Sequence, residues 1–121
     1  MKTIIAGSRS ITNYLVVAEA IHACPWRAEI TEVVSGEARG VDSLGIQWAI
    51  NKGVAVKCFP PDWDTYGKSA GPIRNEQMAE YAEALILVWD GKSKGSADML
   101  ARAKRHYAPE RIYQHIVGGK P

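Results

Sequence analysis

At 121 residues the chain reads as one domain, 1–121, large enough to bury a core without disulfide or metal staples. A formal net charge of +2 argues against a dedicated nucleic-acid binder, whose affinity is largely electrostatic, so nucleic acid is not expected as a partner. No apolar run approaches the ~20 residues of a membrane span, and the first apolar stretch stops at Gly7, too soon for a signal peptide, so a cytoplasmic protein with no membrane partner is expected.

The first element is Thr3 to Ala6, a short apolar run ending in Gly7 and read as a buried strand. Thr12 or Asn13 caps a helix with Tyr14, Val17, Ala18 and Ile21 at helical spacing, and Pro25 follows its end. Glu32 to Ser35 is the second strand. Val41, Leu44, Gly45, Trp48 and Ala49 mark a second helix closed by Gly53. Val54 to Phe59 is the third strand, followed by a loop from Pro60 to Ala70. Trp63 and Tyr66 in that loop either stack on a base or pack the loop down, and packing is favoured. A helix opens with Pro72 in its first position and runs to about Ala82. Ala84 to Trp89, the most apolar run, reads as a central strand. Ser96 is expected to cap a helix carrying Leu100, Ala103 and Tyr107, and Arg111 to Val117 is the last strand.

Strands alternating with helices imply βαβ units. The expected architecture is α/β: a three-layer αβα Rossmann-like fold with a mostly parallel five-stranded sheet, order 3-2-1-4-5. That order places strands one and four together, and ligands of open α/β sheets bind at such a switch point.

Glycine and arginine recur together where apolar runs give way to helices. Gly7-Ser8-Arg9 follows the first strand. Ser35-Gly36-Glu37-Ala38-Arg39-Gly40-Val41-Asp42 follows the second. Ala70-Gly71-Pro72-Ile73-Arg74-Asn75 opens the fourth region. Backbone N–H groups at helix N-termini and arginine forks suit an anion, so these corners point to a phosphate-bearing ligand. Asp42 instead caps its helix, pairs with Arg39, or accepts from a ribose hydroxyl. Asp90 to Ser96 has the composition of a phosphate loop, with Gly91, Ser93, Gly95 and Ser96, but lacks Walker A spacing. Cys24 and Cys58 follow no metal or redox pattern and read as buried thiols. His22, His106 and His115 have no ligand spacing, so no metal is expected and no cofactor is assigned.

Taken together, these segments, with Trp63 to Lys68, Met78 and Trp89 to Ser96, resemble the SLOG superfamily, which includes the LOG phosphoribohydrolases and DNA-processing protein A. The likeness is strongest to its small stand-alone YspA-like family, found in bacteria and phages. The resemblance implies a Rossmann-like fold and a nucleotide-derived ligand, bound by a sensor or cleaved at its N-glycosidic bond. It matches Arg74 to the LOG arginine. The LOG loop Pro-Gly-Gly-x-Gly-Thr-x-x-Glu falls on Asp90 to Met99, where Met99 takes the place of the catalytic glutamate. Asp98 is one residue early, a rotation of about 100° on a helix.

The expected ligand residues are therefore Gly7, Ser8, Arg9, Gly36, Arg39, Gly40, Asp42, Arg74, Asn75, Asp90, Gly91, Ser93, Gly95 and Ser96. Arg74, Asp42, Asp90 and Asp98 are the candidates for catalysis. The first reading is a binding protein for a nucleotide-derived small molecule. The alternatives are a nucleoside-monophosphate phosphoribohydrolase and a single-stranded nucleic-acid binder. Four tryptophans and five tyrosines exceed what such a domain readily buries, so a homodimer is expected, through the helices from Val41 and Pro72.

Overall fold

Apolar runs bounded by glycine and polar loops become the strands of one parallel sheet. The computed structural model describes residues 1–118. Its strands are β1 (Lys2–Gly7), β2 (Glu32–Ser35), β3 (Ala55–Cys58), β4 (Ala84–Trp89) and β5 (Ile112–Ile116). The helices are α1 (Tyr14–Ala23), α2 (Val41–Lys52), α3 (Trp63–Tyr66), α4 (Ala70–Tyr81) and α5 (Lys94–His106). The order is β3-β2-β1-β4-β5 with every pairing parallel, as the alternating pattern implies.

Side chains alternate across the sheet and build a core on each face. Ile5, Val33, Ile86 and Val88 pack with Val17 and Ile21 of α1 and Trp48 of α2. Ile4, Val34, Leu85 and Leu87 pack on the other face with Met78 of α4 and Met99 of α5. Every residue of β4 is buried, and full burial of each large aliphatic there contributes about 1.5–3 kcal/mol. The chain thus winds over one face from β1 to β3 and over the other from β3 to β5. The direction reverses between β1 and β4, so their following loops separate and leave a crevice.

Strand ends differ from the sequence reading by a residue at most, and three places differ by more. The stretch from Pro60 to Ala70 is not an open loop: it holds α3, whose first turn is capped by Asp62 Oδ1 accepting from Thr65 N at 3.1 Å, and a 3₁₀ turn, Gly67–Ser69. Helix α4 starts at Ala70, so Pro72 lies inside its first turn, where its missing N–H has no intrahelical partner to lose. Helix α5 starts at Lys94, before Ser96. Asp90 Oδ1 accepts from both Lys92 N (2.8 Å) and Ser93 N (2.9 Å), and this Asx turn leads the chain into the helix earlier. Cys24 is buried and Cys58 only partly so. Among the described residues no helix is long and apolar enough to cross a membrane.

Candidate functional site

The crevice is built where β1 and β4 end side by side. Gly7 pairs with Val88 in the ladder, and Ser8 N donates to Val88 O at 3.1 Å. Ser8 is buried. Its Oγ accepts from Asp90 N at 3.1 Å and lies 3.3 Å from Ser93 Oγ. One serine therefore ties the loop after β1 to the loop after β4. The two amides of the Asx turn, Lys92 first, hold the Asp90 carboxyl below its ordinary range.

The loop after β2 closes the next side. Gly40 sits at φ +74°, and a Cβ there would stand 2.6 Å from Arg9 O. Only glycine allows this approach. Glu37 adopts φ +62°, a conformation uncommon outside glycine, while Ser35 Oγ accepts from its N–H at 3.1 Å. Asp42 Oδ2 accepts from Ala38 N at 3.3 Å, so its carboxylate fastens this loop from the first turn of α2. Asp42 is 5% exposed. Burial pushes its pKa up to about 6, against the pull of the Ala38 amide and the Arg74 charge.

Arg74 comes from α4 and is 8% exposed. Its Nη1 donates to Gly36 O at 2.6 Å and its Nε to Asn75 Oδ1 at 3.0 Å. Asn75 Nδ2 donates in turn to Asp98 Oδ2 at 2.9 Å and to Gly95 O at 3.4 Å. Arg102 Nε reaches the same Asp98 oxygen at 2.9 Å. Burial lowers the pKa of Arg74, and the charges of Asp42 and Asp98 oppose that shift. Arg74 Nη2 makes no hydrogen bond among the described residues.

These elements enclose a cleft of about 380 Å³. Gly7, Ser8, Arg9, Asp42, Arg74, Asn75, Asp90, Ser93, Gly95 and Ser96 line it together. The other expected residues lie outside its lining. Gly36 backs the Arg74 guanidinium and Gly40 lies against the Ser8 and Arg9 carbonyls. Arg39 is exposed on the loop, and Gly91 is exposed at φ +80°. Asp98 is held by Asn75 and Arg102 and does not line the cleft.

Ala6, Ser10, Ala38, Met78 and Met99 complete the walls, although the sequence did not nominate them. Met78 enters the sequence reading only through the resemblance, and Met99 only as the residue in the catalytic glutamate's place. Helical spacing from Arg74 to Met78 and from Ser96 to Met99 was the signal that puts each pair on one face. Trp63 (52% exposed) and Tyr66 (46% exposed) are about half covered, so the packing that the sequence favours is only partial. Helix α3 has no buried residue of its own, and the Trp63 ring meets the first turn of α4 at Gly71.

The profile of the YspA, cpYpsA-related SLOG family matches residues 1–66, more than half of the chain. The chain is also similar to the Gene 61 protein of Mycobacterium phage D29. The two are 28% identical over 118 residues, which span 89% of this chain and 92% of that one. No solved structure matches the chain.

Proposed function

The chain belongs to the YspA, cpYpsA-related SLOG family, and from that premise we propose that it binds a nucleotide or nucleotide-derived small molecule in the cleft between β1 and β4. The observation that carries this reading is Arg74. A buried guanidinium is held by a backbone carbonyl and an asparagine, and its Nη2 is left over in a residue that lines the same cleft as Ser8, Ser93 and Ser96. Such a fixed cation with hydroxyl donors around it suits phosphate. Asp42 across the cleft suits a sugar hydroxyl as donor to its carboxylate. The volume is in the range of small-molecule pockets.

Binding without turnover is the first reading. Met99, where the resemblance expects a catalytic glutamate, is apolar and lines the cleft. Cleavage of an N-glycosidic bond passes through an oxocarbenium-like state that a nearby carboxylate stabilises. Asp98 is held away from the cleft, and Asp90 is committed to backbone amides. Asp42 keeps the phosphoribohydrolase reading alive, because it brings a buried carboxyl to the same cleft.

Titrating the protein with ribose 5-phosphate and AMP tests binding, and assaying free adenine after incubation with AMP tests turnover. The binding reading expects saturable affinity that depends on Arg74, with no adenine released. Adenine production on the order of 1 per second, an ordinary enzyme rate, gives the site to the hydrolase reading.

A homodimer remains part of the proposal. Trp26, Trp48 and Trp89 are buried, so the support shifts to Ile50 on α2, which is 69% exposed. Sedimentation at micromolar concentration should give the mass of two chains, and Ile50→Asp should give the mass of one.

A further inference from the structure

We infer that Trp63 is a stacking platform for the base of the ligand whose phosphate Arg74 holds, which makes the occupant a nucleobase-bearing phosphate ester rather than a bare sugar phosphate. The inference rests on the binding function proposed above and adds a second subsite to it.

The cleft itself supplies no aromatic surface among the described residues: its apolar lining is Ala6, Ala38, Met78 and Met99. The exposed rings are next door. Helix α3 follows β3 and precedes α4, at the same C-terminal edge of the sheet where the cleft opens. The Trp63 ring lies against the first turn of α4, with its Cη2 3.9 Å from where a Cβ on Gly71 would be. Gly71 and Arg74 are three residues apart on that helix, so they share a face. The helix position that the ring touches therefore lies about one turn, ~5 Å along the axis, from the residue that carries the free guanidinium nitrogen.

The sequence supports the placement. Asp62 caps α3 and so fixes its orientation, and Gly71 leaves room for the indole beside α4. Trp26, Trp48 and Trp89 are buried, whereas Trp63 stays 52% exposed with Tyr66, at 46%, three residues on. Leaving about half of each of these two residues in water has no stabilising value for the fold, since burial is what makes aromatic surface favourable. A base stacked on the indole would cover that surface, and stacking tolerates any base because each has a π-face.

The test compares AMP with ribose 5-phosphate, which share the phosphate and sugar and differ by the base. Affinities are measured by calorimetry for the wild type, Trp63→Ala, Trp63→Phe and Arg74→Ala. The wild type should prefer AMP by about tenfold, within the range for one base on one ring. Trp63→Ala should abolish that preference while leaving ribose 5-phosphate affinity unchanged, and Trp63→Phe should keep most of it. Arg74→Ala should weaken both ligands alike.

An AMP preference that survives Trp63→Ala puts the base elsewhere than on Trp63 and overturns the inference. A wild type without any AMP preference overturns it too. So does a Trp63→Ala variant that loses both ligands equally, or one whose only change is from dimer to monomer in sedimentation. In each of these cases ribose 5-phosphate binding that needs Arg74 leaves the parent reading standing. Absence of binding for both ligands removes the parent reading as well.

Discussion

The Arg74 guanidinium rests directly on the bare α-carbon of Gly36. Its Nη1 donates to the Gly36 carbonyl at 2.6 Å, and a Cβ at Gly36 would stand 2.8 Å from Cζ. A glycine on one side of the sheet's reversal point thus shapes the seat of an arginine from the other. Gly36→Ala must push the guanidinium aside, because the atoms that its Cβ would crowd, Nη1, Cζ and Nε, all belong to Arg74. Affinity for ribose 5-phosphate should fall by about tenfold, the worth of one hydrogen bond to a charged group. The double variant Gly36→Ala/Arg74→Ala should bind no worse than Arg74→Ala alone, since both changes remove one interaction. Additive losses in calorimetry would separate the two residues.

The two arginines that the sequence singles out should part company. Arg74 is buried in the cleft, and Arg39 is exposed outside its lining. Arg74→Ala should cost about 1.5–3 kcal/mol of phosphate-ester affinity. Arg74→Lys should recover only part of it, because an ammonium cannot reach the Gly36 carbonyl, Asn75 and the ligand at once. Arg39→Ala should leave affinity unchanged. An equal loss from both alanine variants, measured on the same ligand, would place Arg39 on the ligand.

Gly7 is among the expected ligand residues and lines the cleft, but its bareness serves the sheet. A Cβ there would overlap the Val88 carbonyl oxygen and meet Val41 Cγ2 at 2.9 Å. Both neighbours are buried and neither can move freely. Gly7→Ala should therefore lower stability by about 1–3 kcal/mol or more, the cost of overpacking a close-packed interior. Urea denaturation measures it directly. A Gly7→Ala protein of wild-type stability but without ligand affinity would restore the ligand-access role.

The fold was legible because each buried strand is an apolar run ended by a turn residue, and parallel strands need crossovers of one hand. Helix α3 was not, because four residues carry no period; only its cap, Asp62, announces it. At the site, residue types identified the corners but not the direction of each side chain. Arg39 and Arg74 look alike as letters, yet one is on an exposed loop and the other on a helix face over the sheet. Met78 and Met99 were named through the resemblance but not as cleft walls, because apolar residues that line a cleft and apolar residues that fill a core obey the same spacing.

Asp42 gives the last prediction, on stability against pH. Its carboxyl is 5% exposed, and burial raises its pKa from 3.8 to about 6. Between those two values the folded chain holds a proton that the unfolded chain has released. Stability falls with rising pH wherever the folded state binds more protons, so ionising Asp42 opposes folding. Its contribution is fully favourable below about pH 4 and is lost as pH rises through about 6. The span of the shift corresponds to a change on the order of 3 kcal/mol. Asp42→Asn keeps an oxygen for the Ala38 amide but cannot ionise. Chemical denaturation of both proteins should show the variant gaining stability relative to the wild type from pH 4 to pH 7, with no further change above. Parallel pH curves for the two proteins would mean that Asp42 is already ionised at pH 4. Arg74 would then be its effective partner across the cleft, and alanine at Arg74 should uncover the missing pH dependence.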